Sequence, residues 1–303
     1  MDMRNDIEIF EEKDRDYVDI LTHGGFKAFF GDENNKEQVM ALINVLLPEH
    51  RRVKEITYVP TELQGPVIGR SKEFQFDFMC EDVSGAKFIV EMQRYRESDW
   101  FKRCVSYAGR VYDRQNRSGF DYDVPPVYLI AFMGVDIDHR DREFWKDRYV
   151  SEYTFREKSC GDLLDETICI IFAELTRFRK SEDECETDLD RVLYLLKNSG
   201  RLKRPPKWGG EMPCKSILDS WEIDLFGKDK RKPYDEDMYD EKRRRGELKA
   251  AREDGMAEGE ARGRSEAQAE MARKMLAAGM PLEQIVQFTG LDAEAFEVLT
   301  AEQ

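Results

Sequence analysis

Residues 73–95 read EFQFDFMCEDVSGAKFIVEMQRY, and the alternation in this stretch decides the fold. Phe74, Phe76 and Phe78 alternate with Gln75, Asp77 and Met79, and Phe88, Val90 and Met92 alternate with Ile89, Glu91 and Gln93. A period of two is that of a strand. Between the two flanks Asp82 to Ala86, with Ser84 and Gly85, has turn chemistry, so the stretch predicts a β-hairpin. A turn centred on Ser84 sets Asp77 opposite Glu91 on one face, and Gln93 joins that face two residues on. Two carboxylates at a cross-strand separation of about 5 Å repel unless something positive lies between them. A hard divalent ion such as Mg²⁺, which takes carboxylate oxygens, a backbone carbonyl and water, suits that place. The same alternation also suits the solvent face of an ordinary hairpin, and the residues alone leave both readings open.

Outward from the hairpin, KEQVMALINVLL (36–47) carries Val39, Leu42, Ile43, Leu46 and Leu47 at the spacing of one buried helix face, and Pro48 stops the run. Strand character recurs at Ile56 to Val59, Phe74 to Cys80, Lys87 to Glu91, Val127 to Met133 and Ile168 to Ala173, with a helical pattern over Ser98 to Gln115. Helix, three strands, helix and strand in that order predict an α/β mixed sheet flanked by helices.

After about Arg201 the composition changes. RLKRPPKWGGEMP has three prolines and a glycine pair, which marks a linker or irregular strap. From about Glu236 the chain is rich in Ala, Glu, Arg and Lys, with Gly255, Gly259 and Gly263 along one side of a helix. The charged residues between these glycines favour a solvated helix or partly disordered segment over a dimer face. The close, MARKMLAAGMPLEQIVQFTGLDAEAFEVL, predicts two or three short amphipathic helices with a turn at Thr289 to Leu291 and Asp292 capping the last. Its outline is that of a helix-turn-helix, yet few basic residues follow Lys274, which suits packing or oligomer contact better than DNA reading. The predicted organisation is a domain over 1–210, a linker over 211–235 and an α-helical tail over 236–303.

Composition excludes several classes. The 303 residues are 41% hydrophobic and 37% charged, enough for one sizeable core and a polar appendage. No run approaches the roughly 18 apolar residues of a membrane span, and the acidic N-terminus is unlike a secretory signal, so a cytoplasmic protein is expected. Six cysteines without a C-x-x-C pair, with only three histidines to join them, argue against a zinc site or disulfide framework and for buried thiols. A net charge of −15 opposes passive binding to a polyanion, although basic residues cluster at 102–117, 177–180, 201–207 and 242–245.

FKAFFGDENNKEQVMALINVLLP (26–48), FDFMCEDVSGAKFIVEMQ (76–93), RCVSYAGRVYDRQ (103–115), PPVYLIAFM (125–133), FAELTRF (172–178), the glycine-every-four tail and the closing segment stand in an ordered set. Together they resemble the recombination-promoting nuclease (Rpn) group of PD-(D/E)XK nuclease family transposases, and the resemblance covers nearly the whole chain. It implies a restriction-endonuclease-like core and a Mg²⁺-dependent DNA endonuclease, with Mn²⁺ as a possible substitute. Asp77 and Glu91 would hold the metal with the Met92 carbonyl, and Glu37 on the first helix falls where many members of the wider superfamily place another acidic ligand; an exposed helix acid is the other reading of Glu37. The usual lysine is replaced by Gln93, whose amide takes no proton near neutral pH and would instead orient the attacking water.

Arg103, Tyr107, Arg110 and Arg114 fall on one face of the following helix and predict a phosphate-facing surface for DNA, or salt bridges to neighbouring carboxylates. Arg177 has the same two readings, and Glu174 is expected to be a structural acid partnered by one of these arginines. The family name implies recombination or mobile-element transfer, while strand transfer itself cannot be read from these residues. The rival reading from another class is a catalytically weak DNA-binding or regulatory protein that keeps the fold, and an RNA-directed nuclease is a third. Self-association through the tail completes the set of expectations.

Overall fold

A computed structural model describes residues 16–63, 74–116, 124–225 and 227–291. The chain divides into two units, 1–239 and 240–303. In order, the first unit contains α1 (His23–Phe30), α2 (Lys36–Asn44), β1 (Ile56–Tyr58), β2 (Glu62–Leu63), β3 (Phe74–Gln75), β4 (Phe78–Asp82), β5 (Lys87–Gln93) and α3 (Trp100–Gln115). It continues through β6 (Val127–Met133), β7 (Val150–Arg156), β8 (Leu163–Glu174), α4 (Asp188–Asn198), α5 (Cys214–Trp221) and the start of α6 (Lys228–Ala277).

The hairpin has the register expected from its turn: Phe78 pairs with Val90, Met79 with Ile89 and Cys80 with Phe88. Asp82 builds the turn, its Oδ1 accepting from the N–H of Ser84 at 2.9 Å and of Ala86 at 3.0 Å, and Gly85 takes φ +82°, where a side chain would be strained. The six strands run in the order β1-β4-β5-β6-β8-β7. β5, β6 and β8 are parallel, whereas β1, β4 and β7 are joined antiparallel, which gives the mixed α/β sheet. A parallel centre has to be covered on both faces. Phe88, Val90, Ile130, Phe132 and Ile171 face a core shared with Phe26, Phe29, Leu42, Leu193 and Trp221, while Ile89, Leu129, Ala131 and Phe172 face Trp100, Cys104, Ala108 and Val111 of α3.

Three local differences from the sequence expectation have physical causes. The strand expected over 74–80 breaks at Phe76 and Asp77, and Phe74–Gln75 pairs instead with Glu62–Leu63 in a separate two-stranded sheet. β8 begins five residues earlier than the apolar run, because exposed Leu163 to Asp165 pair with β7 across a turn closed by Gly161. The segment 211–235, read as a linker, contains α5, whose Cys214, Ile217, Leu218 and Trp221 are buried; the Trp221 ring meets Phe29 edge-on at 5.7 Å.

α1 starts at Thr22, whose side chain accepts from Gly25 N–H at 3.0 Å. A Cβ on Gly25 would lie 2.1 Å from the Asp19 carbonyl, so only glycine permits this approach. Asp237 Oδ2 accepts from Gly24 N–H at 2.7 Å and the Tyr234 hydroxyl from Asp19 N–H at 3.0 Å, which ties the first turns of α6 to the entrance of α1.

In the second unit α6 continues to Ala277 and α7 spans Leu282–Thr289. Ala272 and Ile285 are buried with Met275, Met280 and Leu291 packed against them. The helix runs through Gly255, Gly259 and Gly263, where an added Cβ would meet open space. The expected cap Asp292 and the helix after it lie outside the described residues. No helix among the described residues is long and apolar enough to cross a membrane. All six cysteines are free, and all but Cys160 are buried.

Candidate functional site

β4 begins at Phe78, and Asp77 just before it replaces the preceding rung of the ladder with its side chain. The Met92 N–H donates to Asp77 Oδ2 at 3.0 Å, and the Asp77 N–H donates to Glu91 Oε1 at 3.2 Å. These reciprocal bonds hold the two carboxylates together at the edge where β4 leaves β5. A strand residue sends its N–H and C=O to the same side, so the Met92 carbonyl also faces Asp77, while the next carbonyl, of Gln93, turns the other way and accepts from Gly134 N–H at 2.8 Å.

Glu91 is 5% exposed. Burial, then the charge of Asp77, push its carboxyl well above the ordinary range, against the Asp77 N–H bond and the Arg103 guanidinium. The Asp77 carboxyl is also raised by burial, opposed by the Met92 N–H and by His23, Lys27 and Arg103. His23 Nδ1 lies 4.0 Å from Asp77 Oδ1. Two acids whose burial outweighs their counter-charge form a donor set that fits a hard divalent cation, with the Met92 carbonyl as a neutral third oxygen. Among the described residues no three His, Cys, Asp or Glu side chains gather into a metal group.

Gln93 is 5% exposed and fully engaged. Its Nε2 donates to the Tyr95 carbonyl and, at 3.2 Å, to Glu97 Oε1, and its Oε1 accepts from Arg103 Nη2 at 3.1 Å. Arg103 also donates to Glu97 Oε2 at 2.6 Å and lies over the Trp100 ring, 4.7 Å from its centroid. Tyr107 packs edge-on against Phe76 at 4.9 Å, and burial followed by the charge of Glu91 pushes its hydroxyl up to about 12.

The four α3 residues lie along one helix but have different neighbours. Arg103 and Tyr107 adjoin the carboxylates; Arg110 reaches Asp113 at 3.4 Å; and Arg114 lines a groove with Gly85, Lys87 and Pro125 at the turn end of the hairpin. Eleven residues of helix separate Arg103 from Arg114 by about 16 Å, so the two could meet only different phosphates. Nor does the structure bring Glu37 to the pair: it is exposed on α2, on the side away from buried Val39, Leu42 and Ile43. Arg177 donates to the carbonyls of Arg148 and Trp145, a structural use. Glu174 is indeed a buried acid, but its close partners are His139 Nε2 and the Ile137 N–H, both at 2.7 Å, with Arg177 only at 3.9 Å.

Sequence reasoning missed His23, Lys27 and Glu97. His23 and Lys27 share a helix face by their four-residue spacing, but nothing in the sequence says that α1 begins beside Asp77. Glu97 follows Gln93 by four residues in a loop, where no periodicity marks it.

Residues 21–250 match the family described as PD-(D/E)XK nuclease family transposase. The chain belongs to that family. Residues 265–300 match a second description, the Rpn/YhgA-like nuclease family C-terminal HTH domain. No curated protein and no solved structure matches the chain. Membership carries a nuclease-like, DNA-related function, and PD-(D/E)XK nucleases in general use divalent metal ions. The tail match favours DNA reading over the packing role that its scarcity of basic residues suggested.

Proposed function

We propose that the chain is a metal-dependent DNA endonuclease that hydrolyses phosphodiester bonds in recombination or mobile-element transfer, in the cytoplasm, with Mg²⁺ as its ion and Mn²⁺ as a substitute. The observation that carries this reading is the Asp77–Glu91 pair, two carboxylates bonded through each other's backbone and both raised by burial beside Arg103. Asp77, Glu91 and the Met92 carbonyl hold the cation, which when bound supplies charge neutralisation at the phosphate and acidifies water. Arg103 and Tyr107 meet the phosphate. Gln93 cannot take a proton and serves as a positioning residue, its amide held by Tyr95, Glu97 and Arg103. The helical tail contributes DNA contact and self-association.

One observation favours a second reading, a weakly catalytic DNA-binding protein: Gln93 is already engaged by three neighbours where a free polar group would aid hydrolysis. Nicking of supercoiled plasmid by wild type and Asp77→Ala, each with Mg²⁺, Mn²⁺ or EDTA, separates them. Cleavage that needs metal and disappears in the variant supports the endonuclease. DNA binding without cleavage by the folded wild type favours the second reading, and equal cleavage by both proteins means the site is wrongly assigned.

A further inference from the structure

We propose that the outer edge of β7 pairs with β7 of a second copy of the chain, antiparallel about a twofold axis at Thr154; this rests on the self-association assigned to the tail, which brings the two edges together. β7 ends the six-stranded sheet, so one side of its backbone faces no strand. The Glu174 N–H donates to the Tyr149 carbonyl at 2.7 Å, and the Glu157 N–H donates to the Asp162 carbonyl at 2.9 Å. These two bonds fix the alternation between them. Odd-numbered residues turn their N–H and C=O towards β8, and Val150, Glu152, Thr154 and Arg156 turn theirs outward. Both register shifts fall where β8 carries the extra residues, so the alternation runs unbroken along β7. Such a row of outward groups is a template for another strand, and no proline or lysine stands within 150–156 to blunt it.

The side chains select the partner and the register. Pairing centred on Thr154 sets Glu152 opposite Arg156 of the second copy, and the twofold repeats that contact in the other direction. Centring on Glu152 or on Arg156 instead sets like charges opposite each other, which repels. Glu152 Oε1 accepts from the Cys169 thiol at 3.3 Å, and Arg156 Nη1 donates to the Gly161 carbonyl at 2.9 Å. A carboxylate and a guanidinium so engaged still have most of their acceptors and donors to offer each other. On the opposite face of the strand the same register sets Tyr153 against Phe155 of the second copy. These rings are 43% and 51% exposed, and Tyr153 meets Phe172 edge-on at 5.6 Å. Charge and aromatic pairs therefore agree on one self-complementary alignment. Its outward-facing pairs exchange about six backbone hydrogen bonds. So small a contact falls below the roughly 1,200 Å² of a stable interface, and it closes only between chains that the tail already holds at high local concentration.

The test is disulfide trapping in the full chain with Cys160, the exposed cysteine, replaced by Ser. In that background Thr154→Cys should yield a covalent dimer under mild oxidation, because directly paired Cα atoms lie about 5.5 Å apart, within disulfide reach. Lys158→Cys, exposed beyond the end of β7, should yield about fivefold less, since its two copies lie about 20 Å or more apart. Adding Glu152→Arg to Thr154→Cys should cut the dimer about fivefold. Adding Arg156→Glu as well should restore it, which also shows that the loss was not misfolding. Equal trapping of the two cysteine variants, a dimer indifferent to Glu152→Arg, or no recovery in the double reversal overturns the proposal. Light scattering of the wild type reads the tail separately: an oligomer without trapping removes the edge and leaves the tail, whereas trapping in a chain that scatters as a monomer does the reverse.

Discussion

Replacing Glu91 by Gln should stabilise the metal-free protein at neutral and alkaline pH. Gln keeps the Oε1 that accepts from the Asp77 N–H at 3.2 Å and keeps nearly the same volume, so the substitution removes charge and not packing. Two full charges about 5 Å apart in an effective dielectric near 20 repel by about 3 kcal/mol. The Arg103 guanidinium beside the pair reduces this, leaving a gain of about 1–2 kcal/mol. In a unit of this size each kcal/mol raises Tm by about 2–4 °C. The pH dependence follows from the raised carboxyl. The folded chain holds a proton that the unfolded chain has released, so this group's contribution is fully present below the unfolded value, about 4.3 for Glu, and is lost as pH rises through the folded value. Wild type should therefore lose stability from weakly acidic to alkaline pH, and the Gln variant should lose less. Mg²⁺ should raise the Tm of wild type and not of the variant. Thermal melts across that range in EDTA and in Mg²⁺ decide the matter. A Gln variant destabilised equally at every pH, or Mg²⁺ stabilising both proteins alike, would refute the view of Asp77 and Glu91 as a charge site completed by a cation.

Arg103→Ala should lower kcat/KM for plasmid nicking by about a hundredfold, and Arg103→Lys should recover only part, because an ammonium cannot hold Gln93 and Glu97 in the fork geometry of a guanidinium; wild-type kinetics in the Ala variant would remove Arg103 from the site. Trp221→Ala should cost about 3–5 kcal/mol in urea unfolding, since its ring is fully buried against Phe29; a loss below about 1 kcal/mol would return 211–235 to a linker. Deleting residues 240–303 should leave the unfolding midpoint of the first unit unchanged, because Tyr234 and Asp237 remain to bond the entrance of α1. The same deletion should abolish any self-association seen by light scattering, and an oligomer that persists would place the contact in the first unit.

Strong local periodicity made the hairpin, β6 and α3 legible. Val127–Met133 is buried along its whole length, and a continuous apolar run announces such a strand. β7 was not legible: it is an edge strand with most side chains exposed, so neither alternation nor hydrophobicity marks it. α5 was hidden by the prolines and glycines before it, which suggest a strap although Trp221 is among the most buried residues of the core. At the site, pairing alone brought Asp77 to Glu91, because both lie on one hairpin and the turn fixes the register. Glu37 and the full α3 face required knowing how far elements lie apart, a tertiary distance that helical periodicity does not contain.

The net charge of −15 and a DNA substrate are compatible because charge is distributed unevenly. Along α6 many acids already face a base one turn away, as in Arg243 with Glu247, Lys249 with Glu253, Glu260 with Arg264, Arg262 with Glu266 and Glu270 with Lys274. Such exposed pairs stabilise little, but they neutralise each other at a distance. Asp77 and Glu91 are the opposite case: Glu91 buried and Asp77 half-buried, close together and countered only in part by His23, Lys27 and Arg103. Without a further positive charge these two acids repel a phosphate as well as each other. Cation binding and DNA binding should therefore be coupled, each strengthening the other by the same factor. On the proposed reading, an acidic chain arranged in this way should have little affinity for DNA at large and should gain affinity at the nuclease site only where the acids are neutralised, which would turn an unfavourable overall charge into discrimination between bystander and productive binding.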